Sequence, residues 1–191
     1  QMHPEDDKQL ALKLSEDLLK IAPNDPISIH TRSFVLIKLG RTSEASLLLE
    51  QAQAMFPDDI DFLLNIAVVK EQTGDKKGAL AMVHRAFELD DTNPDTLFLL
   101  ARLLDANGRT SEAEHILTQM LQAQPENLMF YVALMNIWID KGKFDAAFAM
   151  LDEASRKYPK IKEDLTIYKQ YVVAKKSEAM HGASSSGHPK F

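Results

Sequence analysis

The chain has 191 residues, of which 45% are hydrophobic and 26% charged, with a formal net charge of −6. This composition is ordinary for a folded protein and too apolar for a disordered one. The negative charge argues against a nucleic-acid backbone as the main partner. The absence of cysteine excludes disulfides, thiolate nucleophiles and cysteine-ligated metal. No apolar run approaches the roughly 18 residues of a membrane span.

Composition leaves the compartment open, because a chain without cysteine suits both reducing and oxidising surroundings. No secretory signal opens the chain, which begins at Gln1 rather than Met. We favour a cytoplasmic protein. A periplasmic protein, or one anchored to a membrane through a removed N-terminus, is the alternative.

The first predicted element is a helix over residues 6–22. Its apolar residues recur at spacings of four, four and three, which places them on one face: Leu10, Leu14, Leu18 and Ile21.

Three columns of residues then repeat along the chain at a constant step of 34. The first column contains Pro23, Pro57, Asp91, Pro125 and Pro159. The second contains Gly40, Gly74, Gly108 and Gly142, and the third Ala45, Ala79, Ala113 and Ala147. A fixed period of this length indicates an array of helix–turn–helix units.

The columns predict one domain over residues 6–180, followed by a disordered tail over residues 181–191. Its parts are a half-unit at 6–25, full units at 26–59, 60–93, 94–127 and 128–161, and a capping helix at 162–180. In each full unit we expect a helix, a turn at the glycine and a second helix. Asp25-Pro26 and Asn93-Pro94 are typical of helix starts.

The core is predicted from columns that keep the same step. Alanine in the third column lets two helix axes approach closely. A looser small column contains Ala52, Ala86, Met120 and Ala154. Large apolar columns contain Ile29, Leu63, Leu97 and Tyr131, and Leu49, Val83, Leu117 and Leu151.

The fourth unit carries the clearest family pattern. It reads Tyr131, Leu134, Met135, Trp138, Gly142, Ala147, Leu151, Ala154 and Pro159, and the third unit matches at Leu97, Leu100, Ala101, Leu104, Gly108, Ala113 and Leu117. The chain thus resembles the tetratricopeptide-repeat family over about residues 6–180. It departs from the pattern at Arg32, Ser33, Lys70 and Met135.

The resemblance implies an all-α fold, a right-handed superhelix of antiparallel helix pairs in which the first helices line a concave face. Members usually bind proteins or peptides and rarely catalyse, so we expect a binding protein rather than an enzyme, with no cofactor. Members that clamp a chaperone's C-terminal carboxylate use Lys, Asn and Arg at places that here carry His30, Phe34, Asn65, Asp95 and Leu99. Only Asn65 fits, so the resemblance argues against that ligand.

The first-helix positions outside the core columns predict a partner-binding surface with an apolar centre and acidic residues along one margin. Its residues are His30, Phe34, Ile37, Leu64, Asn65, Val68, Phe98, Arg102, Val132 and Asn136. An apolar stripe outside the core favours a groove for an extended or helical segment of a partner. The alternative is that packing between helices, together with the tail, covers these side chains.

Residue patterns for other chemistry are absent from the sequence. The histidines have no metal-site spacing, Asp58-Asp59 and Asp90-Asp91 are interpreted as turn residues, and no glycine-rich phosphate loop occurs. Besides the adaptor function, two functions stay open: a chaperone-like protein that shields an amphipathic client segment, and a structural subunit that self-associates through its terminal half-units.

Overall fold

The computed structural model describes the backbone of residues 4–185 and the side chains of residues 6–181. Within those residues the chain is helical without strands. The helices are α1 (Pro4–Ile21), α2 (Pro26–Lys38), α3 (Thr42–Met55), α4 (Ile60–Gln72), α5 (Lys76–Leu89), α6 (Pro94–Ala106), α7 (Thr110–Ala123), α8 (Leu128–Asp140), α9 (Phe144–Lys157) and α10 (Lys162–Ser185). None of the described helices combines the length and apolarity needed to cross a bilayer.

The chain divides into two compact units, the first ending at Leu103 and the second beginning at Leu104. The division falls inside α6. In the first unit α2 packs on α3 and α4 on α5, and in the second α8 packs on α9 and α9 on α10. The single domain expected over residues 6–180 stays a prediction.

The four glycines of the second column close the first helix of each repeat in the same way. Each has a positive φ, between 71° and 87°. In the first full repeat, the Gly40 amide donates to Ile37 O at 3.1 Å and the Arg41 amide to Leu36 O at 2.9 Å. This is the Schellman arrangement, in which a left-handed residue satisfies the last helical carbonyls. The same pair of bonds recurs at Gly74, Gly108 and Gly142, so the predicted turns are confirmed.

The alanine column lies at the closest helix contacts. Ala45, Ala79, Ala113 and Ala147 are all 0% exposed. In the first unit, Ala45 and Leu49 of α3 share a core with Ile29 and Leu36 of α2 and with Phe62 of α4. In the second, Ala147 and Leu151 of α9 share a core with Tyr131 of α8 and Leu165 of α10. In each of these two cores, the second helix is therefore covered by the helices on both sides of it.

Arg32 replaces a large apolar residue of the family pattern and has a specific partner. It is 8% exposed, and its Nη1 donates to Leu12 O at 2.7 Å and to Ser15 Oγ at 3.2 Å. A buried guanidinium needs such acceptors. Arg32 thus ties α2 to α1.

The last helix begins at Lys162, as predicted, but continues past its predicted end. A 3₁₀ turn over Pro159–Ile161 leads directly into α10. The helix continues to Ser185, past its predicted end at Met180. No proline interrupts residues 181–185, and a single Gly182 costs only about 1 kcal/mol in a helix. The rest of the predicted disordered tail, residues 186–191, lies outside the described residues.

Lys70 departs from the family pattern at a position where a large apolar side chain would pack against the core. Of its counterparts, Leu36, Leu104 and Val172 are at most 2% exposed and Trp138 is half-buried, whereas the Lys70 side chain is 37% exposed and pairs with Asp75 at 3.0 Å. A cavity of about 210 Å³ lies beside Lys70, with Leu49, Ile66 and Val69 and several polar side chains in its lining. The lysine leaves this space unfilled.

We expect Lys70→Leu to raise the free energy of unfolding by about 1–2 kcal/mol. Burying a leucine side chain contributes about 1.5–3 kcal/mol, against which stands the loss of an exposed ion pair of about 0–1 kcal/mol. Urea denaturation measures the difference. Lys77→Leu, the same change at an exposed site on α5, is the control and should bring no gain. An unchanged or lowered stability in Lys70→Leu would contradict this interpretation of the cavity.

We expect Gly40→Ala to lower the free energy of unfolding by about 1–2 kcal/mol, the cost of a left-handed conformation for an L-residue. No atom lies within 4 Å of an added Cβ at Gly40, so the loss reports backbone strain and not a clash. Gly40→Asn should lose less, because asparagine tolerates this conformation. Equal losses in the two variants, measured by urea denaturation, would show that strain at φ +71° is not the cause.

Candidate protein-binding surface

Side-chain caps start the first helices in the same register. Asp25 accepts from the Ser28 amide at 2.8 Å, Asp59 from the Phe62 amide at 3.2 Å, Asn93 from the Thr96 amide at 2.9 Å and Asn127 from the Met129 amide at 3.1 Å. A capped start fixes where the first turn begins. Residues 34 apart therefore occupy equivalent places on α2, α4, α6 and α8.

Eight of the ten predicted binding residues fall in two such columns. One column contains His30, Leu64, Phe98 and Val132, and the other contains Phe34, Val68, Arg102 and Asn136. Because the columns are four residues apart, they lie on one face of each helix. We call the part of this face within the first unit, residues 30, 34, 64, 68, 98 and 102, the first-helix surface.

Phe34 is the most exposed apolar side chain of the first-helix surface. It is 47% exposed. The His30 ring stacks on it with centroids 6.5 Å apart, and Lys38 Nζ lies 5.2 Å from its centroid. His30 also meets the buried Phe62 ring edge-on at 6.4 Å. The Phe34 ring thus contacts His30 and Lys38 while nearly half of its surface stays exposed.

An ion pair connects α4 to α6 along the same surface. Arg102 donates to Glu71 through both nitrogens, Nη1–Oε1 at 2.8 Å and Nη2–Oε2 at 2.7 Å. The two side chains are 44% and 23% exposed. This two-point geometry fixes the guanidinium more firmly than a single contact would. Leu64, Val68 and Phe98 are half-buried beside it.

Ile37 and Asn65 do not lie where the sequence placed them. Ile37 is 7% exposed and belongs to the core of the first unit, with Leu36 and Ala45. Asn65 is 9% exposed, and its Nδ2 is buried without a hydrogen-bond partner. Ile37 follows the core residue Leu36, and Asn65 precedes the core residue Ile66. Both side chains therefore point toward the core. Neither is open to a partner.

Val132 and Asn136 lie in the second unit, on α8. Val132 is half-buried and Asn136 exposed. Met129, one turn earlier, is 49% exposed. These residues form a smaller apolar and polar patch of their own.

The first-helix surface has an acidic margin. Asp61 and Asp95 are exposed in the first turns of α4 and α6. Each precedes a surface residue, Leu64 or Phe98, by three positions and therefore lies on the same side of its helix. Carboxylates thus border the first-helix surface at this edge, and apolar side chains lie at its centre.

The acidic pairs of the sequence have structural roles. Asp59 caps α4, and Asp90 accepts from the Thr92 hydroxyl at 2.7 Å and the Thr92 amide at 2.9 Å. These hydrogen bonds from Thr92 hold the pKa of Asp90 below its usual range. Among the described residues no three His, Asp or Glu side chains are grouped to hold a metal ion.

Sequence reasoning missed the contacts that organise this surface. The columns show which positions recur every 34 residues. The ion pair of Glu71 with Arg102 joins residues 31 apart, so the columns do not reveal it. The contact between the His30 and Phe62 rings joins residues 32 apart and also does not follow the 34-residue period. The alternation of an acidic and a basic residue on neighbouring first helices is the only signal that could have suggested the ion pair.

The family model for the tetratricopeptide repeat matches this chain at residues 72–127 and again at 106–164. Cellulose synthase operon protein C of Pseudomonas fluorescens (strain SBW25) is 29% identical over 111 residues, which cover 54% of this chain and 9% of that protein. The chain thus spans about a tenth of the length of that relative.

Two solved structures share the fold. TTC0263, a thermophilic tetratricopeptide-repeat protein of Thermus thermophilus, superposes with a TM-score of 0.75 at 20% identity, covering 87% of this chain and 91% of its own. YrrB, described as a tetratricopeptide-repeat protein with an unusual peptide-binding site, superposes with a TM-score of 0.57 at 14% identity, covering 85% and 84%. Together with the repeated helix pairs and glycine turns, these matches confirm the predicted fold class. Residues 72–164 thus match the tetratricopeptide-repeat family model, and the chain has the tetratricopeptide-repeat fold.

Proposed function

We propose that this protein is a scaffold or adaptor that binds a peptide or helix of a partner protein on its first-helix surface. The repeat fold is a protein-interaction scaffold. The observation that carries the finer proposal is Phe34, a large aromatic side chain that is 47% exposed and lies outside the core of the first unit. Exposed apolar side chains grouped on one face typically mark a contact surface.

The surface is suited to binding because its side chains are already ordered. The Phe34 ring is held by His30 and Lys38, and Arg102 by Glu71. A receptor whose side chains are fixed loses little conformational entropy when the partner binds. The affinity then depends mainly on how well apolar anchors of the partner fill the space around Phe34, Leu64 and Phe98.

The acidic margin adds a requirement on the partner's charge. Asp61 and Asp95 favour a segment with basic residues beside its apolar anchors, since opposite charges guide the approach and fix orientation. The peptide-binding site attributed to YrrB supports peptide capture as a use of this fold. The chemistry of the ligand is inferred from this chain's own side chains.

Chaperone-like shielding of an amphipathic client segment would use the same surface. The two functions differ in selectivity. An adaptor binds one defined pattern of anchors, whereas a shielding protein accepts many amphipathic segments.

Self-association through the terminal half-units is a second candidate function, and the exposure of α1 favours it. Ala11 of α1 continues the alanine column but is exposed, whereas Ala45, Ala79, Ala113 and Ala147 are 0% exposed. Among the described residues, the alanine column is therefore buried in α3, α5, α7 and α9 but exposed in α1.

We expect Phe34→Glu to abolish peptide binding without unfolding the protein. Peptides selected from a random display library against the wild-type chain provide the probe, and fluorescence anisotropy measures their affinity. Replacing a central aromatic anchor costs about 2 kcal/mol or more, which is over tenfold in Kd. A charged group at this site adds a desolvation penalty.

Phe148→Glu is the matched control. Phe148 is a phenylalanine of similar exposure, 38%, on the second helix α9. It should leave the affinity unchanged. Convergence of the selected peptides on apolar anchors with basic neighbours supports an adaptor, and binding without a shared pattern supports shielding. Full binding by Phe34→Glu would refute the surface as the site.

A further inference from the structure

A cleft of about 460 Å³ opens between the second helices α7 and α9, along their C-terminal halves. Its floor contains Tyr131 and Ala154, which are 5% and 4% exposed. Half-buried Leu121 of α7, Met150 of α9 and Tyr158 complete an apolar lining. Ligand sites in proteins measure roughly 300–1,000 Å³, so this α7–α9 cleft has room for an aromatic side chain.

The floor of the α7–α9 cleft is held in place by Tyr131. Its hydroxyl donates to Pro125 O at 2.8 Å, and its ring packs in the core of the second unit with Leu151. Burial, and then the neighbouring Tyr158 and Glu153, raise the pKa of Tyr131, so the hydroxyl keeps its proton and the hydrogen bond. A site whose floor is already ordered loses little conformational entropy when a ligand binds.

The counterpart of this cleft in the first unit, two 34-residue steps earlier, is bridged from helix to helix. Gln53 of α3 donates through Nε2 to Met82 Sδ of α5 at 3.8 Å. Leu121 and Met150 occupy these places in the second unit, and a leucine side chain has no hydrogen to donate. The bridge is therefore missing where the cleft is open, although the repeat folds in either form.

Two opposite charges without ion-pair partners border the α7–α9 cleft. Glu153 and Lys157 both line it, one helical turn apart on α9. Neither forms an ion pair with another side chain among residues 6–181, and Lys157 Nζ lies 5.5 Å from the Tyr158 ring centroid. In the first unit Arg85, the counterpart of Glu153, pairs with Asp58 at 2.6 Å. The second unit thus leaves both charges available to a ligand.

We propose that the α7–α9 cleft is a second docking site, which takes a helix of a partner protein. The helix inserts one large apolar side chain between Leu121 and Met150, and it carries a basic residue opposite Glu153 and an acidic residue opposite Lys157.

Charge complementarity selects this occupant. Residues four apart on the partner helix have the same spacing as Glu153 and Lys157 on α9. An uncharged ligand, or one with a single charge, leaves at least one of these two groups without a partner. The cleft does not depend on the first-helix surface, and it gives the proposed adaptor a second attachment point.

Helical peptides selected from a random display library against the full chain carrying Phe34→Glu are the probe. This substitution disables the first-helix surface, so the selection favours other sites. We expect the selected peptides to share a large apolar residue with a basic and an acidic residue four positions apart beside it. Fluorescence anisotropy then measures their affinity for variants of the full chain.

The double variant Leu121→Gln/Glu153→Arg gives the α7–α9 cleft the residues of its bridged counterpart, Gln53 and Arg85. It should lower the affinity by about tenfold or more, because it removes the central apolar contact. Circular dichroism checks that this variant is folded. Should it lose helix, the charge exchange described next decides alone.

The double variant Glu153→Lys/Lys157→Glu keeps the apolar lining and the net charge and exchanges only the two charges at the border. It should also lower the affinity by about tenfold, because like charges then face each other. A peptide whose own basic and acidic residues are exchanged should regain the affinity. The matched control is Lys77→Glu/Glu88→Lys, the same exchange at exposed sites on α5, which should leave the affinity unchanged.

The outcomes separate this cleft from the first-helix surface. Loss of affinity in the charge exchange and recovery with the exchanged peptide confirm the proposal. Full affinity in the folded variants overturns it, and so does a selection that yields no shared pattern. Loss in Leu121→Gln/Glu153→Arg without loss in the charge exchange overturns the stated chemistry of the partner. A wild-type dimer in sedimentation velocity that Leu121→Gln/Glu153→Arg abolishes overturns the partner helix in favour of a second copy.

A peptide selected on the wild-type chain can be assigned to one surface by the same variants. A peptide that loses affinity in Phe34→Glu but keeps it in Leu121→Gln/Glu153→Arg binds the first-helix surface, and the opposite result places it in the α7–α9 cleft. Each proposal therefore fails or holds without the other.

Discussion

The close packing of each second helix between two first helices is the contact on which the rest of the structure depends. A single helix pair cannot cover its own apolar faces, so it gains stability only from its neighbours. The alanine column makes this contact short, because a side chain of one carbon lets the helix axes approach. Full burial of Ala45 and Ala147 together with Leu49 and Leu151 shows that both compact units use the same solution.

The same solution leaves other first-helix positions at the edge of the core, where Val68 and Val132 are only partly buried. Once Ile29 and Leu36 face the core and Gly40 closes the helix, packing constrains the columns at residues 30 and 34 less strictly. They do vary, from Phe34 through Val68 to Arg102, while the alanine of the third column is retained at every step. This division explains how a regular scaffold presents an irregular surface. The ion pair between α4 and α6 and the aromatic stack on α2 are local additions to it.

The sequence predicted what the period determines and missed what depends on exact helix orientation. Helix bounds, glycine turns and buried columns repeat, so one unit informs the next. Ile37 was placed on the surface, yet the structure puts it in the core, because a helix turns about 100° per residue and a boundary residue can face either way. Apolar periodicity also identified the apolar face of α1 within a predicted half-unit, and the structure leaves the residues of that face exposed. The extension of α10 to Ser185 escaped prediction because a helix end without proline leaves a weak signal.

The first-helix surface and the buried columns therefore differ in what determines them. The buried columns carry side chains that the fold requires at every step, so the burial of Ala45, Ala79, Ala113 and Ala147 follows from helix packing alone. The first-helix surface carries side chains that the fold does not require, so its ligand must be inferred from their chemistry.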